Sequence, residues 1–329
     1  MKKTVPLPRE ALIAITYRCN ARCHMCNTWM YQSRPEAEIQ PEDIVSLPRV
    51  SFCNLTGGEP FIREDLEDFV RIMAGKARRI VISTNGYFTD RIIALARKFP
   101  HVGFRVSIEG MPAVNDPLRG LKDGFDHGLR TLLELDAMGR KDIGFGITLS
   151  DKNINDLMAL YGLSKRLNFE FATACVHNTF YFHKFDNVVA NKDMFSKNLK
   201  LLINDLLKSP RVKNWFRGYF NHGLLNFALG GKRLLPCEVG TDLVFIDPFG
   251  NCMPCNGMEK SMGNIRDDAF LNIWNSARAQ EVRAAVASCS KNCWMIGSVA
   301  PAMKKYVHVP AAWVMRNKLR LLMNKDAIL

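Results

Sequence analysis

The sequence predicts an α/β fold built on parallel strands, followed by a smaller cysteine-rich unit. Two observations predict the α/β part: short apolar, β-branched runs alternate with helical segments over the first half of the chain, and the connections between them are short. Repeats of this kind favour parallel strands joined by right-handed crossovers. A third observation is that polar residues follow several strands, at the sheet edge where α/β folds bind ligands.

The predicted elements follow one another in a regular order. The first strand leads into a cysteine-rich loop, and the later strands alternate with helices. The predicted strands are residues 11–16, 50–55, 79–86, 102–110, 143–149 and 169–176. The predicted helices begin near residue 41 and continue at 64–74, 90–98, 131–138 and 154–167. Residues 178–233 do not fit a further β/α unit, and we expect helices at 194–207 and 215–229.

The composition restricts the class of protein. The chain has 329 residues, 47% of them hydrophobic, and no run approaches the ~18 apolar residues that a membrane span needs. The N-terminus lacks the apolar segment of a signal peptide, so the ten cysteines favour a reducing cytoplasm and metal binding over disulfides. The net charge of +13 comes without a nucleic-acid-binding motif, and it favours an anionic substrate, an anionic cofactor or an anionic membrane surface.

Three thiols lie within eight residues just after the first strand, at Cys19, Cys23 and Cys26. Three protein ligands leave one metal position open for a substrate or cofactor, whereas four would close the site. A [4Fe–4S] cluster with one open iron fits this pattern. A partial zinc site or buried free thiols would present the same residues.

A glycine-rich turn, Gly57-Gly58-Glu59-Pro60, follows the second predicted strand. Two glycines at a strand end allow the backbone to approach a ligand closely, and the carboxylate of Glu59 is able to accept hydrogen bonds from an ammonium group. The cysteine spacing and this turn together resemble the radical S-adenosylmethionine (radical SAM) superfamily. In that family S-adenosylmethionine chelates the open iron, and the Gly-Gly-Glu-Pro segment contacts its methionine amino group.

The resemblance implies a partial (β/α)6 barrel of the TIM type, open on one side, with cofactor contacts at the strand ends. The family positions that match are Asn85, Ser107 and Glu109 for ribose or methionine contacts, with Thr148 and Asn153 further along the chain. Each of these residues would equally serve as a strand-end cap or turn former. Arg119 belongs to a stretch found in one subgroup of the family, and it either pairs with a carboxylate or holds its loop. Glu109 and Arg119 are the candidates for a catalytic role.

A second group of cysteines lies near the C-terminus, around a predicted β-hairpin at residues 243–255. The order of cysteine, hairpin, Gly-Asn-Ile, Ile-Trp-Asn-Ser and terminal cysteines resembles the SPASM/twitch extension, which binds auxiliary iron–sulfur clusters. Five cysteines suit the shorter twitch form with one [4Fe–4S] cluster, and the resemblance implies as ligands Cys237, Cys255, Cys289 and Cys293. Cys252 is left over, but it could form a metal knuckle with Cys255. Four thiolates would also suit a structural zinc ion.

The expected organisation has four parts. These are a radical SAM core at 1–177, a helical connection at 178–233, an auxiliary-cluster unit at 234–297 and a basic amphipathic tail at 298–329. The tail mixes Lys and Arg with large apolar residues. It is expected either to dock onto the barrel or to contact anionic lipid as a peripheral element.

The resemblance implies an oxidoreductase with S-adenosylmethionine and two [4Fe–4S] clusters. Electrons from a flavodoxin or ferredoxin would drive cleavage of S-adenosylmethionine to a 5′-deoxyadenosyl radical, which takes a hydrogen atom from the substrate. The auxiliary cluster would accept the remaining electron. The first expectation is a small molecule of the sugar or aminocyclitol type that is oxidised or rearranged; the alternatives are a peptide- or protein-modifying maturase and a non-enzymatic, zinc-stabilised binding protein.

Overall fold

The computed structural model of the chain describes residues 5–328. Six parallel strands lie side by side in chain order, as the sequence predicts. They are β1 (Glu10–Ala14), β2 (Phe52–Thr56), β3 (Ile80–Thr84), β4 (Gly103–Ser107), β5 (Ile143–Leu149) and β6 (Glu170–Cys175). The sheet does not close on itself, because β6 forms one end of the strand order. The parallel α/β core of a partial barrel is therefore confirmed.

Helices cover the outer side of this sheet. They are α1 (Leu66–Ala74), α2 (Thr89–Lys98), α3 (Pro112–Arg119), α4 (Gly124–Ala137) and α5 (Leu157–Arg166). In α1 the buried residues are Leu66, Phe69, Val70 and Met73, the i, i+3, i+4, i+7 pattern of a helix that buries one face. The helix predicted to begin near residue 41 is a short 3₁₀ helix, Pro41–Ser46.

Helix α3 lies where the sequence predicted a loop. Pro117 lies inside this helix, and an internal proline normally argues against one. The helix forms because Pro112 stands in its first turn, where its missing N–H costs nothing. It ends at Gly120, whose φ of 55° is the left-handed conformation that glycine adopts without strain.

The connecting segment forms the two expected helices, α6 (Lys192–Lys208) and α7 (Val212–Ala228). They pack against each other, and α7 also lies against β6. There the hydroxyl of Thr173 lies 2.9 Å from the side-chain oxygen of Asn221, and both residues are buried. These helices therefore cover the free edge of the sheet, which would otherwise expose unpaired backbone groups.

The cysteine-rich unit continues the same sheet at its other end. Strand β7 (Leu243–Ile246) pairs in parallel with β1, and β8 (Asn251–Met253) and β9 (Gly263–Asn264) extend it antiparallel. This confirms the predicted hairpin and adds a feature that the sequence did not indicate, since β7 shares its hydrogen bonds with the first strand of the barrel. Two helices, α8 (Phe270–Asn275) and α9 (Ala277–Ala287), follow.

The basic tail forms two helices, α10 (Ile296–Lys305) and α11 (His308–Leu322), so the predicted boundary after residue 297 falls inside α10. Lys304 and Lys305 at the end of α10 make ion pairs of 2.6 and 2.7 Å with Glu10 and Glu238. Helix α11 packs against α6 and α7. The tail therefore docks onto the barrel. Within residues 5–328, no helix combines the length and the apolar character of a membrane span.

A fully buried tryptophan joins the cysteine-rich unit to α7. The indole N–H of Trp294 donates to the carbonyl oxygen of Phe220 at 2.8 Å. A Cβ on Gly223 of α7 would lie only 2.0 Å from the indole ring, so this position has no room for a side chain. Glycine is therefore tolerated inside α7, despite its cost to helix stability, because it lets Trp294 pack against the helix axis.

We predict opposite effects of adding one methyl group to two helical glycines. Gly223→Ala should lower the free energy of unfolding by about 1–3 kcal/mol through overpacking against Trp294. Gly162→Ala in α5, where a Cβ meets nothing within 4 Å, should raise it by up to about 1 kcal/mol. Thermal unfolding of both variants, followed by circular dichroism under anaerobic conditions, measures the difference. Shifts of the same sign would contradict this account of Trp294 packing.

Candidate cofactor and cluster site

The exit of β1 and the glycine-rich turn after β2 are bound together by their backbones. The N–H of Gly58 donates to the carbonyl oxygen of Thr16 at 2.7 Å, and the N–H of Glu59 donates to that of Arg18 at 2.8 Å. A Cβ on Gly57 would lie 2.5 Å from the oxygen of Thr16, and one on Gly58 2.3 Å from that of Arg18. The two glycines are thus required by a close approach of the chain to itself, immediately before the cysteine loop.

A buried carboxylate holds the same segment from the other side. Glu38 accepts hydrogen bonds from the hydroxyl of Thr16 and from the guanidinium groups of Arg18 and Arg63, the latter two at 2.8 and 3.3 Å. Buried charges are found paired in this way because an unpaired one is costly. No motif or spacing in the sequence marks Glu38.

Backbone hydrogen bonds join the cysteine loop to two other parts of the chain. On one side the N–H groups of Arg22 and His24 donate to carbonyl oxygens at the end of α3, at 2.9 and 2.8 Å. On the other side the N–H of Asn27 donates to the carbonyl oxygen of Phe182 at 2.8 Å. The loop carrying Cys19, Cys23 and Cys26 is therefore fixed relative to both the barrel and the segment that follows β6.

A cavity of about 310 Å³ lies at the C-terminal ends of the strands. The structure brings together around it the three thiols of the cysteine loop and most of the predicted cofactor-binding residues. The predicted residues that line the cavity are Cys19, Cys23, Cys26, Gly57, Gly58, Asn85, Ser107, Glu109, Arg119 and Thr148. Glu59, Pro60 and Asn153 do not line it.

Glu59 and Asn153 make hydrogen bonds within the protein. The buried carboxylate of Glu59 accepts hydrogen bonds from the N–H groups of Phe61 and Asn85 and from the hydroxyl of Thr84, at 3.1, 2.7 and 2.8 Å. Burial raises the pKa of this carboxyl group. The side-chain oxygen of Asn153 accepts from the N–H of Ser150 at 2.8 Å, which is the turn-forming role left open by the sequence.

Arg119 and Glu109 form a buried ion pair beside the thiols, with 2.8 Å between the guanidinium and the carboxylate. The second carboxylate oxygen accepts from the N–H of Thr148 at 2.7 Å. Burial raises the pKa of Glu109, and the charge of Arg119 opposes this shift. Within residues 5–328, Nε of Arg119 has no hydrogen-bond partner, so it remains available to a group in the cavity. Burial likewise raises the pKa of Cys23 to about 11, while Arg119 favours its thiolate.

The far wall of the cavity comes from residues that the sequence analysis did not single out. Val176 and His177 follow β6, Leu243 begins β7, and residues 295–298 form the first turn of α10. The imidazole of His177 stacks on Phe227 with 4.2 Å between ring centroids, and burial lowers its pKa to about 4. Only tertiary packing brings these segments to the barrel mouth, so no local sequence signal marks them.

A second cavity, of about 880 Å³, lies beside the first. The four cysteines implied by the resemblance line it: Cys237, Cys255, Cys289 and Cys293. Cys255 also lines the first cavity, and it therefore stands in the wall between the two. Cys252 does not line the second cavity, and its side chain is fully buried in the hydrophobic core.

The donor sets suit iron–sulfur clusters. Among residues 5–328, no three His, Cys, Asp or Glu side chains converge on a single metal ion, as the short Zn–S bonds of a zinc site would require. A [4Fe–4S] cluster is larger than one ion and holds its thiolates further apart, and it is ligated by cysteines. Three and four thiols around two separate cavities, with Arg119 buried beside the first, match two such anionic clusters.

The comparisons with known families agree with this arrangement. The model of the radical SAM superfamily matches residues 13–163, which include the end of β1, the cysteine loop and strands β2 to β5. The model of the SPASM iron–sulfur cluster-binding domain matches residues 237–294, which include all four cysteines around the second cavity.

Two curated relatives illustrate the range of similarity. The Fe-coproporphyrin III synthase of Methanosarcina barkeri is 30% identical over 206 residues, which are 60% of this chain and 50% of the synthase. The chain thus spans about half the length of that relative. The mycofactocin maturase MftC of Mycolicibacterium smegmatis is 28% identical over 294 residues, which are 84% of this chain and 74% of the maturase.

Solved structures show the same fold. The structure of anSMEcpe with bound AdoMet has a TM-score of 0.64 at 16% identity and covers 95% of this chain and 99% of its own. SuiB of Streptococcus suis bound to S-adenosylmethionine has a TM-score of 0.63 at 14% identity, with 86% and 68% covered. The matching family models, together with the cysteine loop and the barrel, show that the chain contains a radical SAM domain followed by a SPASM iron–sulfur cluster-binding domain.

Proposed function

We propose that this radical SAM enzyme oxidises its substrate and passes an electron to the auxiliary cluster. The observation that carries this proposal is the position of Cys255 in the wall shared by the two cavities. When bound and reduced by a donor such as a flavodoxin or ferredoxin, the first cluster and S-adenosylmethionine supply a 5′-deoxyadenosyl radical that takes a hydrogen atom from the substrate. A cluster ligated by Cys255 would lie next to the substrate and could receive the electron that remains.

The chain's own residues would bind and orient these groups. Cys19, Cys23 and Cys26 would hold the first cluster, with the fourth iron facing the cavity. Gly57, Gly58, Asn85, Ser107 and Thr148 offer the backbone and side-chain polar groups suited to ribose and methionine. Cys237, Cys255, Cys289 and Cys293 would hold the auxiliary cluster. Arg119 would stabilise negative charge beside the first cluster, as its buried position and unpaired Nε suggest.

One wall of the cavity favours a carbon-rich reacting end of the substrate. The cavity of about 310 Å³ would also hold the first cluster and S-adenosylmethionine, so only that end of the substrate would enter. Beside the polar His177 and Ser298, this wall includes the apolar side chains of Leu12, Val176, Leu243 and Ile296, which offer a sugar or aminocyclitol no hydrogen bonds. These apolar side chains support a carbon centre as the reacting group over the polyol that was the first expectation.

A second candidate is the modification of a peptide side chain. Apolar residues are exposed beside the cysteine loop: Tyr31 stacks on His183 at 4.6 Å, and Phe185 is 70% exposed. A surface of this kind suits an extended peptide with one side chain inserted into the cavity. Some relatives are named as a maturase or a maturation protein, and one solved structure of SuiB contains its precursor peptide SuiA.

The catalytic proposal predicts turnover that depends on the cysteine loop. Anaerobic protein with reductant and S-adenosylmethionine should form 5′-deoxyadenosine above background only with the correct substrate, which should lose two hydrogen atoms by mass. Candidate substrates are carbon-rich small molecules and peptides, compared in parallel by liquid chromatography and mass spectrometry. Cys23→Ala should abolish the product, while Cys53→Ala, at a buried strand position outside both cavities, should retain it. Equal product from Cys23→Ala would refute the assignment.

The ligand assignment predicts different iron contents for two neighbouring variants. Two clusters correspond to about eight irons per chain. Cys252→Ala should keep that number, because its thiol is packed in the core, whereas Cys255→Ala should lose about four irons. Iron and acid-labile sulfide analysis of anaerobically purified protein measures both. A loss of four irons in Cys252→Ala would place Cys252 among the ligands.

The ion pair beside the thiols predicts a rescue. Arg119→Leu leaves Glu109 buried without a counter-ion and should cost about 3–5 kcal/mol of unfolding free energy. Adding Glu109→Gln should recover most of that loss.

In Arg119→Leu alone, burial keeps the pKa of Glu109 above its unfolded value, so stability should be greatest at acidic pH and fall as the pH rises through the folded pKa. Denaturant unfolding across this range tests the account, which fails if the double variant is no more stable than Arg119→Leu.

A further inference from the structure

The outward face of α11 is apolar, although the helix is already docked by its other face. Met315, Leu319 and Leu322 recur at i, i+4 and i+7, and they are 64%, 61% and 80% exposed. Met323, just past the helix end, is 58% exposed. The opposite face buries Pro310, Val314 and Asn317. A docked helix normally turns polar residues to solvent, so this exposed stripe indicates a further contact.

Basic residues flank the stripe on both sides. At 3.6 residues per turn, Lys318 lies along one edge, and Arg316 and Arg320 lie along the other. Lys318 is held in place, since its ammonium lies 3.8 Å from the ring centroid of Trp215 and donates to the carbonyl oxygen of Leu207 at 3.0 Å. Between residues 299 and 328, the sequence contains a single acidic residue, Asp326.

The surface continues onto α6. The side chain of Asn204 donates to Asp326 at 2.9 Å, which places this face of α6 beside the segment that follows α11. Leu201, which is 48% exposed, and the exposed Lys200 lie one helical turn before Asn204. The exposed Lys208 lies one turn after it. The apolar stripe therefore lies within a wider basic surface.

The charge around the stripe argues against a second copy of the chain as its partner. A twofold dimer would place the same patch of both copies face to face, so Arg316 and Arg320 would meet their own equivalents or Lys318. Like charges at such an interface are costly. The apolar stripe and the basic residues beside it are complementary to a partner whose apolar interior is bounded by negatively charged groups.

We propose that α11 is an interfacial helix that binds the protein to the surface of an anionic lipid bilayer. Met315, Leu319 and Leu322 enter the boundary between headgroups and acyl chains, while Arg316 and Arg320, with Lys200 and Lys208 of α6, contact lipid phosphates and carboxylates. This inference does not depend on the proposed reaction.

The test is cosedimentation of the full chain with vesicles of phosphatidylcholine, with and without phosphatidylserine. We expect binding to the anionic vesicles only, weakened by added salt because Arg316, Lys200 and Lys208 are exposed. Leu319→Ser combined with Leu322→Ser should reduce binding by about tenfold or more, as should Arg316→Glu combined with Arg320→Glu. Leu133→Ser, at an exposed leucine of α4, is the control and should bind as the parent does. Circular dichroism verifies that each variant is folded.

Two kinds of result would overturn the proposal. One is a negative vesicle assay, in which the parent protein does not bind or the folded α11 variants bind equally well. The other is a concentration-dependent dimer that dissociates in Leu319→Ser/Leu322→Ser, which would assign the stripe to a second copy of the chain. Neither result bears on 5′-deoxyadenosine formation, so the reaction is tested separately.

Discussion

The geometry of the site depends on one close contact between two backbones. The N–H groups of Gly58 and Glu59 donate to the carbonyl oxygens of Thr16 and Arg18 at 2.7 and 2.8 Å, and side chains at Gly57 or Gly58 would collide with that backbone. The contact fixes the direction in which the chain leaves β1, and the three thiols follow within eight residues. Glu38 holds the same region in place from the other side by ion pairs with Arg18 and Arg63. Displacing the glycine turn would therefore move the cysteine loop as well as the cavity wall.

The two cysteine sites are parts of one structure because the sheet is continuous. Strand β7 pairs with β1, so the hairpin that leads to Cys255 starts beside the strand that leads to Cys19. Trp294, adjacent to Cys293, fixes the other end of the cysteine-rich unit against α7. Two adjacent cavities follow from this arrangement, and Cys255 belongs to both. The distance between the two sites is thereby set by strand pairing in a rigid sheet.

The sequence predicted features that depend on local pattern. The six parallel strands show as apolar, β-branched runs, and the cysteines are recognisable because cluster ligation requires particular spacings. Helix α3 was missed because Pro117 opposes a helix locally, while the surrounding packing and Gly120 favour one. Spacing alone did not show which of Cys252 and Cys255 is the better candidate for a cluster ligand. Burial in the core distinguishes them in the structure.

Other features depend on segments far apart in the chain. Glu38, His177 and the first turn of α10 carry no motif, and they reach the site only when the barrel and the C-terminal helices are packed together. Glu59 shows the opposite case. Its motif is recognisable, yet its carboxylate is engaged by Phe61, Thr84 and Asn85, a role that only the three-dimensional contacts reveal.

Helix α10 connects the cavity to the protein's outer surface. Its first turn, Ile296 to Ser298, lines the cavity, and only Tyr306 and Val307 separate its end from α11. A rigid helix transmits a shift at one end to the other. If adsorption of α11 repositions α10, thermodynamic linkage requires reciprocity: occupancy of the cavity would strengthen or weaken adsorption by the same factor by which adsorption changes ligand affinity. Through the short α10–α11 junction, adsorption to lipid and ligand occupancy of the cavity would then depend on each other.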